Sequence, residues 1–110
     1  MGQRRISSEC LSTTGFSYTL SLIIGKYKMT ILYTLMEFGT VRFNEMKKYI
    51  GAISYKTLSA TLKELEADGL VNRKEYPQIP PKVEYSLTER GKSLIPILDG
   101  MCEWGHKNRI

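Results

Sequence analysis

Residues 42–87 contain two short helical patterns, a tight turn between them and a proline-studded hairpin. In chain order the pieces read RFNEMKKYI, GAI, SYKTLSATLKELEAD, GLVNRKEY, PQIPPK and VEYSL. Two helices joined by a three-residue turn and followed by a two-stranded ribbon are the layout of a winged helix-turn-helix, a fold that reads duplex DNA. This stretch constrains the fold more than any other part of the chain.

The first helix of the pair has apolar residues on one face. Phe43, Met46 and Ile50 are spaced i, i+3, i+7, which predicts one stripe turned towards a core. Gly51 follows at the position where a helix often ends in a left-handed residue, a conformation that glycine adopts without steric cost. Ser54 is the predicted N-cap of the next helix.

The second helix is predicted over residues 54–68, before Gly69. Its apolar residues are expected to be buried: Tyr55, Leu58, Leu62 and Leu65. The opposite face presents Lys56, Ser59 and Lys63, which suit entry into a DNA groove because bulky or acidic groups would clash with base edges or repel phosphates. An ordinary solvated face would explain these three residues equally well.

The ribbon shows the period-two pattern of a half-buried strand. Val83, Tyr85 and Leu87 alternate with polar residues, whereas the partner strand at residues 70–76 has a weaker pattern. The prolines between the strands predict a stiff loop rather than a two-residue hairpin turn. The cations around this loop predict a wing laid on the DNA backbone or minor groove, with a plain surface hairpin as the alternative: Arg73, Lys74 and Lys82.

The chain resembles the HxlR-type transcriptional regulators, a MarR-related branch of the winged-helix proteins. The matching motifs run in order along most of the chain: IGKY at 24–27, RF at 42–43, IS at 53–54, LEADGLV at 65–71, PPKVEY at 80–85, LT at 87–88 and CEW at 102–104. The family usually has tryptophan where this chain has Tyr27. The resemblance implies a cytoplasmic, homodimeric, DNA-binding regulator of a bacterium or archaeon, often one that answers a reactive small molecule or an oxidant.

Motifs and resemblance together predict an α+β, mainly helical fold: a winged helix-turn-helix with additional N- and C-terminal dimerisation helices. Lys56, Ser59 and Lys63 would contact bases or phosphates in the major groove. Ser54 and Tyr55 would lie near the backbone at the N-terminal end of the helix, and the wing cations would hold flanking phosphates. The competing hypothesis is a winged-helix protein-interaction module that does not bind DNA.

The composition agrees with the prediction of a DNA-binding winged-helix protein. A chain of 110 residues has room for one domain, and its net charge of +5 favours polyanionic partners. No apolar run is long enough to predict a membrane span, and residues 1–15 lack the apolar region of a secretory signal. We expect a flexible arm over residues 1–15, whose Arg4 and Arg5 are solvated or reach DNA, a domain over residues 16–106 and a tail over residues 107–110.

The terminal segments predict a dimer. Phe16, Leu20 and Ile23 form one helical stripe, and residues 27–38 are predicted to form a central helix. Further apolar residues recur between Leu94 and Trp104 and predict a last helix. Pro96 either kinks that helix or marks its start. A two-fold partner is expected to cover the surplus apolar surface at these residues: Phe16, Leu20, Leu98, Met101 and Trp104. The alternative is that Trp104 closes the core of its own chain.

Residues that carry chemistry are scarce. His106 has no neighbouring ligand pair, so local spacing predicts neither a metal site nor a His-dependent nucleophile. The sequence also has no glycine-rich phosphate loop, and its carboxylates are scattered over helix surfaces, so we expect no cofactor and no enzyme. Cys10 is a candidate redox residue, and Cys102 is expected to be a buried hydrophobe. Family members often have a sensing cysteine in a Cys-Pro-x-x-x-Thr-Leu pattern; alignment on Thr19-Leu20 puts Thr14 and Gly15 at the Cys-Pro positions. We therefore expect Cys10 not to act as the switch.

Overall fold

A computed structural model describes residues 8–110, with the side chains of residues 10–110. Expectations for the first seven residues, including Arg4 and Arg5, lie outside the described residues. The elements follow one another in this order: a 3-10 helix (Ser8–Thr13), α1 (Gly15–Ile23), α2 (Lys28–Phe38), β1 (Val41–Arg42), α3 (Phe43–Ile50), α4 (Tyr55–Ala67), β2 (Val71–Tyr76), β3 (Lys82–Leu87), α5 (Glu89–Lys92) and α6 (Ile95–Asn108). The predicted α+β, mainly helical fold is confirmed.

The core lies between α2, α3, α4 and one face of the sheet. The apolar residues at helical spacing in these three helices are almost completely buried: Ile31, Leu32, Leu35, Met46, Leu58, Leu62 and Leu65. Val41, Leu70, Val71 and Tyr85 close the core from the sheet. Burial of each such side chain contributes about 1.5–3 kcal/mol, so this cluster fixes the relative positions of the helix pair and the hairpin.

The sheet has three antiparallel strands in the order β1-β3-β2. Tyr85 lies in the central strand opposite Val41 on one side and Arg73 on the other. The predicted alternation in β3 is confirmed at its C-terminal end, where Tyr85 and Leu87 are buried and Ser86 between them is partly exposed, whereas Val83 and Glu84 are both half-buried. The sequence did not predict β1, since two residues are too few to show a period-two pattern.

Two glycines are required by the backbone at points that position the hairpin. Gly69 ends α4 with φ +76°, and the next amide, that of Leu70, donates to the Leu65 carbonyl over 3.0 Å. Gly91 of α5 lies so close to Leu70, the residue before β2, that a Cβ there would overlap the Leu70 carbonyl oxygen. The hairpin therefore leaves α4 at a fixed angle and is backed by α5.

Several boundaries differ from the sequence prediction. Residues 8–13 of the expected arm form the 3-10 helix, and α6 extends through Asn108 into the expected tail. Pro96 lies in the first turn of α6 and so marks a helix start, where its missing N–H costs nothing. Tyr55, which was predicted to be buried, is 55% exposed, because the first side chain of α4 points back over the start of α3.

The terminal helices α1 and α6 contribute few residues to the core. The radius of gyration is 16.4 Å, larger than the roughly 13 Å of a compact domain of 100 residues, and the longest extent is 59 Å. Within the described part of the chain, α1 has no buried residue and α6 has one, Leu98. No helix among the described residues is long and apolar enough to span a membrane.

Candidate nucleic-acid interface

The helix-turn-helix is built as the sequence predicted. Gly51 ends α3 with φ +81°, and its amide donates to the Lys47 carbonyl over 2.8 Å. Ile53 anchors the turn in the core, and the Ser54 hydroxyl accepts the Thr57 amide as the N-cap of α4 at 3.1 Å. This use of Ser54 leaves its side chain committed to the helix and exposed at its N-terminal end.

The predicted reading residues of α4 fall on its exposed side. Lys56 and Lys63 are exposed, and Ser59 is half-buried beside the hairpin. The Tyr55 ring stacks on Phe43 with 5.9 Å between ring centroids, and Lys47 Nζ lies 5.2 Å from the Tyr55 ring centroid. Tyr55 therefore joins the N-terminal ends of the two helices at the surface.

An open groove of about 970 Å³ separates α4 from the hairpin, and we call it the wing groove. It is lined by residues of β1, α3, α4 and the hairpin: Arg42 of β1, Phe43, Asn44 and Glu45 at the start of α3, Ser59, Lys63 and Glu66 of α4, and Arg73, Pro80, Pro81, Lys82, Val83 and Tyr85 of the hairpin. Four of these side chains are cations and two are carboxylates. The structure thus brings predicted residues from the helix and the wing onto one concave surface.

The wing cations are held by neighbouring side chains. Arg73 pairs with Glu75 at 3.2 Å and Lys82 with Glu84 at 3.5 Å, while Lys74 Nζ lies 5.0 Å from the Tyr76 ring centroid. The Tyr85 hydroxyl, hydrogen-bonded to Arg73, raises the pKa of that guanidinium, which remains charged at any physiological pH. Arg73 and Lys82 must therefore exchange a carboxylate for a phosphate in order to hold DNA.

Sequence reasoning missed Arg42, Asn44 and Glu66, which also line the wing groove. Arg42 and Asn44 flank the first residue of α3, and Glu66 is one turn beyond Lys63. The helical period of α4 could have placed Glu66 beside the predicted residues, because residues 59, 63 and 66 lie on one side of the helix. Arg42 could be found only through β1, which brings it beside the hairpin.

The proposed interface residues of the terminal helices separate into two groups. Phe16 and Trp104 are 69% exposed, Met101 is 54% exposed and Leu20 is 38% exposed. Leu98 is only 5% exposed within one chain and belongs to its core, where it also lines the open apolar groove between α2 and α6, so its place in a dimer interface stays a prediction. The exposure of Trp104 excludes the alternative in which it closes its own core.

The two cysteines occupy different surroundings. Cys10 is exposed on the 3-10 helix. Cys102 is half-buried on α6, where it lines a small apolar groove of about 300 Å³ together with Met29, Tyr33 and Met101. Cys102 is thus less buried than expected, because the groove between α2 and α6 remains open. Among the described residues, no cluster of histidine, cysteine and carboxylate side chains could hold a metal ion.

Comparisons with known proteins agree with this geometry. The family model described as "HxlR-like helix-turn-helix" matches residues 22–109. An uncharacterized HTH-type transcriptional regulator of Halalkalibacterium halodurans is 64% identical over 99 residues, covering 90% of this chain and 88% of that protein.

Solved structures show the same relationship. The redox regulator HypR in its oxidized form is 46% identical with a TM-score of 0.81, over 88% of this chain and 99% of HypR. A protein described as a MarR-family transcriptional regulator from Porphyromonas gingivalis is 34% identical with a TM-score of 0.82, over 96% of this chain and 99% of that one. The chain therefore belongs to the HxlR-like helix-turn-helix family of transcriptional regulators.

Proposed function

We propose that this protein is a sequence-specific DNA-binding regulator that acts as a homodimer. The observation that carries the proposal is the wing groove, where the start of α3, the exposed side of α4 and the hairpin form one concave surface. In this arrangement α4 enters the major groove and the wing lies on the flanking backbone or in the minor groove.

Each predicted residue has a role that its position supports. Lys56, Ser59 and Lys63 contact bases or phosphates from the side of α4 opposite the core. Ser54 and Tyr55 lie at the N-terminal end of α4, where backbone amides favour a phosphate oxygen. The wing cations hold the flanking phosphates: Arg73, Lys74 and Lys82.

The exposed apolar surface supports a dimer. Four apolar side chains of the terminal helices are between 38% and 69% exposed: Phe16 and Leu20 of α1, and Met101 and Trp104 of α6. A standard interface removes about 800 Å² per partner, so pairing of the terminal helices of two copies would cover these residues and the apolar groove beside Cys102.

The effector class follows from the relatives rather than from a pocket. A redox regulator is among the solved structures that resemble this chain, which favours an oxidant or a reactive small molecule. Thr14 and Gly15 stand at the Cys-Pro positions of the family pattern. We therefore do not assign the sensing role to Cys10.

A gel-shift assay with DNA from the region upstream of the gene that encodes this protein tests the proposal. A labelled duplex from that region should be shifted at lower protein concentration than a duplex with the same base composition and a scrambled sequence. Binding should weaken steeply as salt rises, because phosphate contacts release counterions. Equal, weak and salt-insensitive binding of both duplexes would instead favour the protein-interaction module.

A further inference from the structure

A second groove runs along α4 on the side away from the wing. It has a volume of about 490 Å³, and we call it the loop groove. Gly25, Lys26, Tyr27 and Lys28 line one wall and Ala52, Ser54, Thr57, Thr61 and Glu64 line the other. The function proposed above uses Ser54 of this groove and assigns no role to its other residues.

The two grooves lie on opposite sides of α4. Residues two positions apart on an α-helix are separated by roughly 200°, and Thr57 of the loop groove stands in this relation to Ser59 of the wing groove. Lys56 and Ala60 lie between the two stripes, opposite the buried Leu58 and Leu65. The exposed apex of α4 is thus bordered by a groove on each side.

This geometry matches the two backbones that border a major groove. The major groove of DNA is about 12 Å wide, and an α-helix with its side chains is about 10–12 Å across. A helix that enters it therefore has one phosphate backbone on each side. If α4 is the reading helix, one backbone runs past the wing groove and the other past the loop groove.

Each groove carries at least one cation that forms no ion pair with a carboxylate of the described residues. In the loop groove Lys28 pairs with Glu64 at 3.2 Å, whereas Lys26 forms no ion pair among residues 10–110 and its Nζ lies 5.4 Å from the Tyr27 ring centroid. In the wing groove Arg73 and Lys82 have carboxylate partners, whereas Arg42 forms no ion pair within residues 10–110. The backbone amide of Arg42 donates to the Glu45 carboxylate over 3.0 Å at the start of α3, so this contact is a helix cap and not an ion pair of the guanidinium.

We infer that Lys26 and Arg42 are phosphate-binding residues that clamp the two backbones on opposite sides of α4. The inference rests on the DNA-binding function proposed above. An unpaired exposed cation exchanges a counterion for a phosphate without first losing a carboxylate partner. Arg42 should therefore contribute more to DNA affinity than Arg73 or Lys82, which are paired.

The test measures the salt dependence of binding for Lys26→Ala and Arg42→Ala. The probes are a 30-bp duplex selected by the wild-type protein from a random library and a 30-bp duplex of scrambled sequence. Each variant should reduce the slope of log K against log salt by about 0.9, which corresponds to an affinity loss of about eightfold at 0.1 M salt. The loss should be the same on both duplexes, because a phosphate contact carries no sequence information.

Matched controls exclude a simple change in net charge. Lys107→Ala and Arg109→Ala remove the same residue types from the exposed end of α6, outside both grooves, and should leave the slope unchanged. Lys26→Arg and Arg42→Lys keep the charge and should restore the slope. Circular dichroism of each variant checks that the fold is intact, and a variant that fails this check is replaced by the glutamine substitution at the same position.

The outcomes separate this inference from the proposed function. A wild-type protein without salt-dependent binding contradicts the proposed function itself. Normal wild-type binding with unchanged slopes in Lys26→Ala and Arg42→Ala overturns the clamp and leaves that function standing. A changed slope in only one of the two variants overturns the two-sided arrangement.

Discussion

Phe43, the first residue of α3, stacks on Tyr55, the first residue of α4, with 5.9 Å between ring centroids and 20° between ring planes. Both helices of the helix-turn-helix are thus joined at their N-terminal ends, at the surface where α4 would meet DNA. The contact fixes the angle between the helices from outside, while Met46 and Leu58 fix it from the core.

Two substitutions at Tyr55 should distinguish the contribution of its ring to stability from the contribution of its hydroxyl to DNA affinity. Tyr55→Ala should lower the free energy of unfolding by about 0.5–1.5 kcal/mol through loss of the stacked pair, and it should also weaken DNA binding. Tyr55→Phe keeps the ring, so chemical denaturation should match the wild type. The lost hydroxyl should still cost DNA affinity about 0.5–1.5 kcal/mol, measured by fluorescence anisotropy. Wild-type affinity in Tyr55→Phe would show that Tyr55 only positions the helices.

The exposed lysines of α4 should affect binding without affecting the fold. Lys56→Ala and Lys63→Ala should each weaken binding to the selected duplex while thermal unfolding stays unchanged, because both side chains are exposed. A base contact would cost roughly 1–3 kcal/mol of discrimination at one position. A double variant that binds like the wild type, with the wing intact, would remove α4 from the major groove.

Two residues on α6 should behave in opposite ways. Trp104→Ala should shift the protein from dimer to monomer in light scattering, yet leave the domain folded, because Trp104 is 69% exposed within one chain. Leu98→Ala should lower the free energy of unfolding by about 2–5 kcal/mol, because it opens a cavity in the core. A wild-type protein that is monomeric at micromolar concentration and still binds DNA tightly would refute the terminal-helix dimer.

Gly91 should tolerate no side chain. Gly91→Ala places a Cβ against the Leu70 carbonyl, a fixed backbone atom, and should destabilise the fold by about 1–3 kcal/mol. Gly100→Ala is the matched control, because a Cβ there meets open space in the middle of α6 and alanine is the better helix former. Calorimetry should show a lower Tm for the first variant and an equal or higher Tm for the second.

Cys10 should be dispensable for any response to oxidants. Cys10→Ser and the wild type should lose DNA affinity to the same extent on treatment with diamide or a quinone, measured by gel shift before and after a reductant. The expectation rests on Thr14 and Gly15, which replace the cysteine and proline of the family pattern. A response that disappears only in Cys10→Ser would assign the sensor to this residue.

The sequence predicted those parts of the fold whose pattern is local. Met46 and Leu58 recur with the helical period, and Gly51 and Ser54 mark helix ends, so the helix-turn-helix could be placed nearly to the residue. Tyr55 was misplaced because its period matches the buried stripe, whereas its direction depends on where the helix begins. Leu98, Met101 and Trp104 follow one another at three-residue spacing, which turns the apolar surface of α6 by about 60° at each step. The sequence could not show at which of these residues that surface leaves the core.

The candidate site was predictable only where its residues lie on one element. Lys56 and Lys63 follow from the helical period of α4. Arg42 and Lys26 could not be assigned in this way, because each reaches α4 through the tertiary fold: one through a two-residue strand and the other through the loop before α2. The ion pair between Arg73 and Glu75 depends on the positions of the two side chains, which the sequence pattern does not show.

The division of α6 into an anchored start and an unsupported end has a thermodynamic consequence. Leu98 attaches the first turns to the domain, while the turns around Trp104 lack apolar cover from the described part of their own chain. In the proposed dimer, the order of this last segment becomes a function of protein concentration, by mass action. A twofold DNA site would then bind two chains and order their last helices in one step. The occupancy of that site would therefore rise with protein concentration more steeply than a simple hyperbola.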